Sequence, residues 1–141
     1  MDIKDRVKQL YLEEGFNCAE AMWLCLNEQD LSEEELSFGM KLAGVFGAGL
    51  GCGSTCGVVG GAVLTLGRWF GRGLGEPRNQ DLPKYAKAFC EWFNEKYNSK
   101  DCCDLKDSNN HKPICANMLA ESAEFVEKLL DEGLEQESCS L

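Results

Sequence analysis

The chain has 141 residues, 44% of them hydrophobic and 27% charged, a size at which one domain buries a full core without a covalent staple. Its 24 acidic side chains against 14 basic ones leave a net charge of −10, which argues against an extended phosphate-binding surface and so against nucleic acid as a partner. Nine cysteines call for a chemical reason, because a reducing compartment rarely keeps so many thiols for packing alone.

The first residues, Met1-Asp2-Ile3-Lys4-Asp5-Arg6, mix both signs of charge where a secretory peptide carries a basic region and then an apolar run; a cytoplasmic location is expected. Ile3, Val7, Leu10 and Tyr11 follow the spacing of a one-sided amphipathic helix that stops at Gly15. Asn17 can cap a second helix, Cys18 to Leu26, apolar enough to pack on more than one side. Ser32 with Glu35 forms a capping-box signature for a third, through Leu36, Met40 and Ala43.

Glycine then recurs at 44, 47, 49, 51 and 53, which predicts a turn-rich loop. Ser54 or Thr55 is expected to cap the next helix, whose apolar residues from Cys56 to Phe70 surround its axis and make it the buried centre of the fold. Gly57 and Gly61, four apart, would let another helix, of this subunit or a second one, come close to its backbone. The stretch from Gly57 to Gly67 is the most apolar, but it meets Arg68 short of the ~20 residues that cross a bilayer, and no membrane span is expected. Asp81 should cap a helix with an aromatic stripe, Tyr85, Phe89, Trp92, Phe93 and Tyr97, read as core. After a polar, broken segment from Asn98 to Lys112, Pro113 should start the last helix, through Leu130. The expectation is a single all-α domain over 1–141, a bundle of five to six helices around the glycine-rich one, with 135–141 a flexible tail.

On this map the cysteines fall into kinds. Cys25 and Cys90 sit among apolar neighbours inside helices, where a free thiol serves as a small hydrophobe. Cys18, Cys56 and Cys115 each fall in an expected first helical turn, where the helix N-terminus lowers a thiol pKa and favours the thiolate that binds metals. Cys102 and Cys103 lie in the irregular segment, Cys52 in the glycine loop, and Cys139 in the tail. An odd number of cysteines leaves at least one thiol free, which weakens a disulfide framework.

Zinc could use Cys102, Cys103, His111 and Cys115, although an adjacent pair suits one tetrahedral ion poorly and His111 is more simply a surface or capping residue. No Cys-x-x-Cys occurs, which disfavours a c-type haem and a thioredoxin-like centre, while a thiol–disulfide switch pairing Cys56 with Cys102 or Cys103 stays open. The glycine loop lacks the Gly-Lys-Ser/Thr ending of a phosphate-binding loop, and no catalytic residue stands out.

Four elements in order carry a resemblance: Phe16-Asn17-Cys18-Ala19, Cys56-Gly57-Val58-Val59-Gly60-Gly61 after the glycine loop, Ser99-x-x-Cys102 before Asp104-Leu105, and Cys115 opening the final helix. Together, from about Val7 to Leu129, they resemble the C_GCAxxG_C_C family of small proteins regarded as redox-active. Val58 stands where that family has alanine, and Cys103 where a basic residue is common. The resemblance implies a bound redox group, an iron–sulfur cluster first, on Cys18, Cys56, Cys102 and Cys115, with Cys52, Cys103 and His111 as secondary candidates. It implies electron transfer, or assistance to an oxidoreductase, with a redox partner protein. Ligands this dispersed match no ferredoxin spacing, so their convergence depends on the tertiary fold. The alternatives are a noncatalytic zinc module and a thiol–disulfide switch, and a homo-oligomer is compatible with either.

Overall fold

Seven helices and no strand make up residues 1–105 and 111–139, the part of the chain that the computed structural model describes. They are α1 (Ile3–Leu12), α2 (Cys18–Asn27), α3 (Glu33–Gly44), α4 (Gly57–Phe70), α5 (Asp81–Tyr97), α6 (Cys102–Leu105) and α7 (His111–Cys139). The all-α expectation holds, with the four-residue α6 added inside the segment read as irregular.

Local chemistry starts the first three helices where the sequence places them. The Asp2 carboxylate accepts from the Asp5 N–H at 2.9 Å, and α1 then buries Val7, Leu10 and Tyr11 on one side. Asn17 and Glu20 satisfy each other's backbone N–H groups in a full capping box, each bond 2.9 Å long, and Ser32 with Glu35 repeats the device on α3. Three starts differ. Asp81 is the first residue of α5, and its N–H is instead bonded by the Asn79 side chain at 2.9 Å; an acidic residue is as well suited to a first turn as to a cap. The N-cap of α4 is Cys56 itself and not Ser54 or Thr55. Helix α7 begins at His111, since proline is tolerated anywhere in a first turn, and it continues past Leu130 to Cys139, taking in part of the tail expected over 135–141. Residues 106–110 and 140–141 lie outside the described part.

The core sits where α2 and α7 meet α4, whose buried residues (Gly57 to Ala62, Thr65, Leu66 and Phe70) surround its axis. The glycine pair is used within the chain, against α2. A Cβ at Gly61 would lie 2.7 Å from the Ala19 carbonyl oxygen and from Met22 Cβ, and one at Gly57 would lie 3.1 Å from Cys18 Cβ. Further along the same crossing, buried Asn27 donates to Trp23 O at 2.8 Å and to Thr65 Oγ1 at 3.1 Å, while Thr65 donates to Gly61 O at 3.0 Å. Helix α7 lies along α1, and the aromatic stripe of α5 is core as expected: Phe89 and Phe93 are fully buried, and Trp92 stacks on Phe125 of α7 with ring centroids 4.4 Å apart. Arg6 ties α1 to the end of α2 by a two-pronged bond to Glu28, 2.9 Å on each side.

This crossing sets two effects of Gly61→Ala in opposition. Helix propensity favours alanine by about 1 kcal/mol, whereas overpacking a close backbone contact costs about 1–3 kcal/mol. The 2.7 Å approach makes the second dominate, so urea denaturation should find Gly61→Ala less stable than the wild type; a gain in stability would contradict the crossing.

Candidate functional site

A cleft of about 260 Å³ is lined by cysteines from four separate segments: Cys18, Cys56, Cys102 and Cys115. Cys56 and Cys115 are buried, and Cys18 and Cys102 are half-buried. Each is brought there by a local device. Cys18 is the first residue of α2 and faces the glycine-bared start of α4, where Cys56 is the N-cap. Cys102 opens α6, and the chain before it is stitched to the approach to α4: the Cys56 N–H bonds Lys100 O at 2.7 Å, the Cys102 N–H bonds Ser54 O at 2.6 Å, and Thr55 and Asp101 form an isolated antiparallel bridge. Gly49, at φ +61°, lies beneath this stitch, where a Cβ would come within 2.6 Å of Cys102 Cβ. Cys115 is the fifth residue of α7, two positions further into the helix than expected because the helix starts before Pro113.

Burial and the contact between two of the thiols govern the electrostatics. Cys18 and Cys56 do stand at helix starts, but the lowered thiol pKa expected there does not follow. Loss of solvent pushes the Cys56 thiol up to about 11. The Val58 and Val59 N–H groups pull it back only in part, and the sulfur closes no capping hydrogen bond. Cys18 is pushed up further, first by its hydrogen bond with Cys115, then by burial; a hydrogen bond from Tyr11 opposes this. The Tyr11 phenol is itself raised, by burial first and then by the charge of Cys18 and Cys115.

Tyr11 and Lys112 also line the cleft, and Lys112 Nζ sits 4.3 Å from the centroid of the Tyr11 ring. Sequence reasoning missed both. Tyr11 occupies an ordinary core position of α1, and Lys112 is one of many surface lysines, so only the fold distinguishes them. His111 lines the cleft too. Cys52 and Cys103 are exposed and do not line it: the Cys52 thiol donates to Gly49 O at 3.6 Å, and that of Cys103 lies 3.8 Å from Asp104 Oδ1. The quartet weighed for zinc is therefore split, with Cys103 outside. Cys25, half-buried, donates to Met22 O at 3.3 Å, and neither it nor Cys90 reaches the cleft.

Among the described residues, no three His, Cys, Asp or Glu side chains are grouped closely enough to hold one metal ion. The thiols surround a space without closing on a point.

Residues 16–129 match a family model described as "Putative redox-active protein (C_GCAxxG_C_C)". The chain belongs to the C_GCAxxG_C_C family. No curated protein and no solved structure matches it. The span matched to the C_GCAxxG_C_C family contains all four cleft cysteines but begins after α1, so Tyr11 completes the cleft from outside it.

The raised thiols give a pH dependence of definite sign. In metal-free protein the unfolded chain loses the Cys56 proton near the ordinary 9.0 and the folded chain near 11, so the unfolded state holds fewer protons between these values. Stability should therefore fall as pH rises through that window, and Cys56→Ser should reduce the slope. Urea denaturation in this range checks it; stability rising with pH would contradict a buried neutral thiol.

Proposed function

We propose that the cleft holds a cysteine-ligated redox centre, an iron–sulfur cluster on Cys18, Cys56, Cys102 and Cys115, and that the protein carries electrons to or from an oxidoreductase partner. The observation that carries this reading is the spread of four thiols from four segments around one cleft. One zinc ion, at about 2.3 Å from each of four sulfurs, needs those sulfurs about 3.8 Å apart. A four-iron cluster binds each thiolate through a different iron, so it suits donors that ring a space and do not form a tight group. Bound there, such a group supplies one-electron chemistry.

The protein's own contributions are positioning and environment. The start of α4 turns the Val58 and Val59 N–H groups towards the Cys56 sulfur, and hydrogen bonds of this kind, with limited solvent access, tune a potential. The Tyr11 hydroxyl donates to Cys18 and shields this side of the cleft, and Lys112 adds a cation beside it. The raised thiol pKa values also favour a metal-bearing centre, because a cation supplies the compensating charge that a buried thiolate otherwise lacks.

A second reading has one observation in its favour: Cys18 and Cys115 are hydrogen-bonded to each other and could join as a disulfide, releasing two electrons and two protons to an oxidant. The raised pKa of Cys18 keeps its thiol protonated at neutral pH and makes it a slow nucleophile, which ranks this reading second.

Iron, acid-labile sulfide and zinc per chain, measured after purification without oxygen, separate these readings. We expect brown protein with matched iron and sulfide, and loss of both in Cys18→Ser, Cys56→Ser, Cys102→Ser and Cys115→Ser, while Cys90→Ser retains them. Colourless protein with one zinc would overturn the cluster, as would equal iron in all five variants. Metal-free protein in which Cys18 and Cys115 link on oxidation would support the second reading.

A further inference from the structure

The outward face of α3 carries Phe38 and Leu42, 66% and 50% exposed, and the C-cap residue Val45, 65% exposed. Beside this ridge runs a groove of about 610 Å³ between α3 and α4, with Trp23, Leu31, Val63, Leu64 and Gly67 in its wall and floor. At Gly67 a Cβ would meet nothing within 4 Å, so the floor has room for an inserted side chain. Apolar surface of this extent on an acidic, charged chain marks a contact site.

Two features identify the occupant. A ridge next to a groove on one surface is what a two-fold contact requires, because each copy then fills the other's groove with its own ridge. The charges along α3 have the same symmetry. Glu34 and Glu35 lie one turn before Phe38 and Lys41 one turn after it. An antiparallel pairing centred on Phe38 therefore sets Glu34 and Glu35 of each copy near Lys41 of the other, twice. A parallel pairing would instead bring the acidic first turns together.

A membrane-spanning helix fits less well. The stretch Glu33–Gly53 is long and apolar enough to cross a bilayer, but its backbone turns left-handed at Ala48 and Leu50 and cannot continue as one helix. We propose that this face of α3 is the interface of a homodimer with α3 packed antiparallel on its own copy, independent of what the cysteine cleft holds.

Sedimentation velocity of the full chain over a range of concentrations tests this. The wild type should form a dimer. Phe38→Glu should weaken self-association about tenfold or more. Gly67→Leu, which fills the groove where the fold has space, should do the same, and both variants should keep the wild-type helical circular dichroism and metal content. Lys41→Glu should weaken the dimer, and adding Glu34→Lys to it should recover much of the loss. A wild type that stays monomeric throughout would overturn the proposal, as would a dimer indifferent to both Phe38→Glu and Gly67→Leu. So would monomeric protein that floats with phosphatidylcholine vesicles only when Phe38 is intact.

Discussion

The close crossing of α2 and α4 is the constraint from which the rest of the structure follows. Two missing side chains, at Gly57 and Gly61, let the helices approach until Cys18 Cβ and the Ala19 backbone sit against the start of α4. That approach sets the first residue of one helix beside the N-cap of the other, so two of the four cleft thiols meet because two glycines are where they are. The buried hydrogen bonds among Asn27, Trp23, Thr65 and Gly61 fix the same crossing further along and hold its register. The remaining cysteines are added to this pair from outside: Cys102 by the bonds between 54–56 and 100–102, Cys115 by the packing of α7 across α1, α2 and α4.

The site's electrostatics follow from the same packing. A helix start offers a thiolate about half a unit of positive charge, but a crossing this tight also strips the thiols of water. At Cys56 burial outweighs the facing N–H groups and carries the thiol up to about 11. The cleft thus holds Cys18 and Cys56 in place while withholding their charge, a balance that a positively charged centre would reverse. Tyr11 and Lys112 enclose the cleft from α1 and α7.

Much of the fold was legible because helices announce themselves locally. The spacing of Val7, Leu10 and Tyr11, the Ser32–Glu35 box and the Asn17 cap all rest on residues within a few positions of each other, and all hold. The starts at Cys56, Asp81 and His111 shifted by a few residues because serine, threonine, aspartate and proline are each acceptable on either side of a helix boundary. The ordered motif cysteines pointed to the right family, and the structure lines one cleft with all four. What no local rule carried was their surroundings. Tyr11 reads as core, Cys103 looks as eligible as Cys102, and the thiol pKa values depend on burial created by residues dozens of positions away. Gly57 and Gly61 were legible as a place of close approach, but their partner, Ala19 and Met22 of α2, was not.

X-ray absorption at the iron edge of protein purified without oxygen tests the central claim, that the dispersed thiols share one polynuclear centre, most directly. The account predicts an all-sulfur first shell with iron–iron scattering behind it. A first shell of nitrogen and oxygen donors without iron–iron scattering would contradict it.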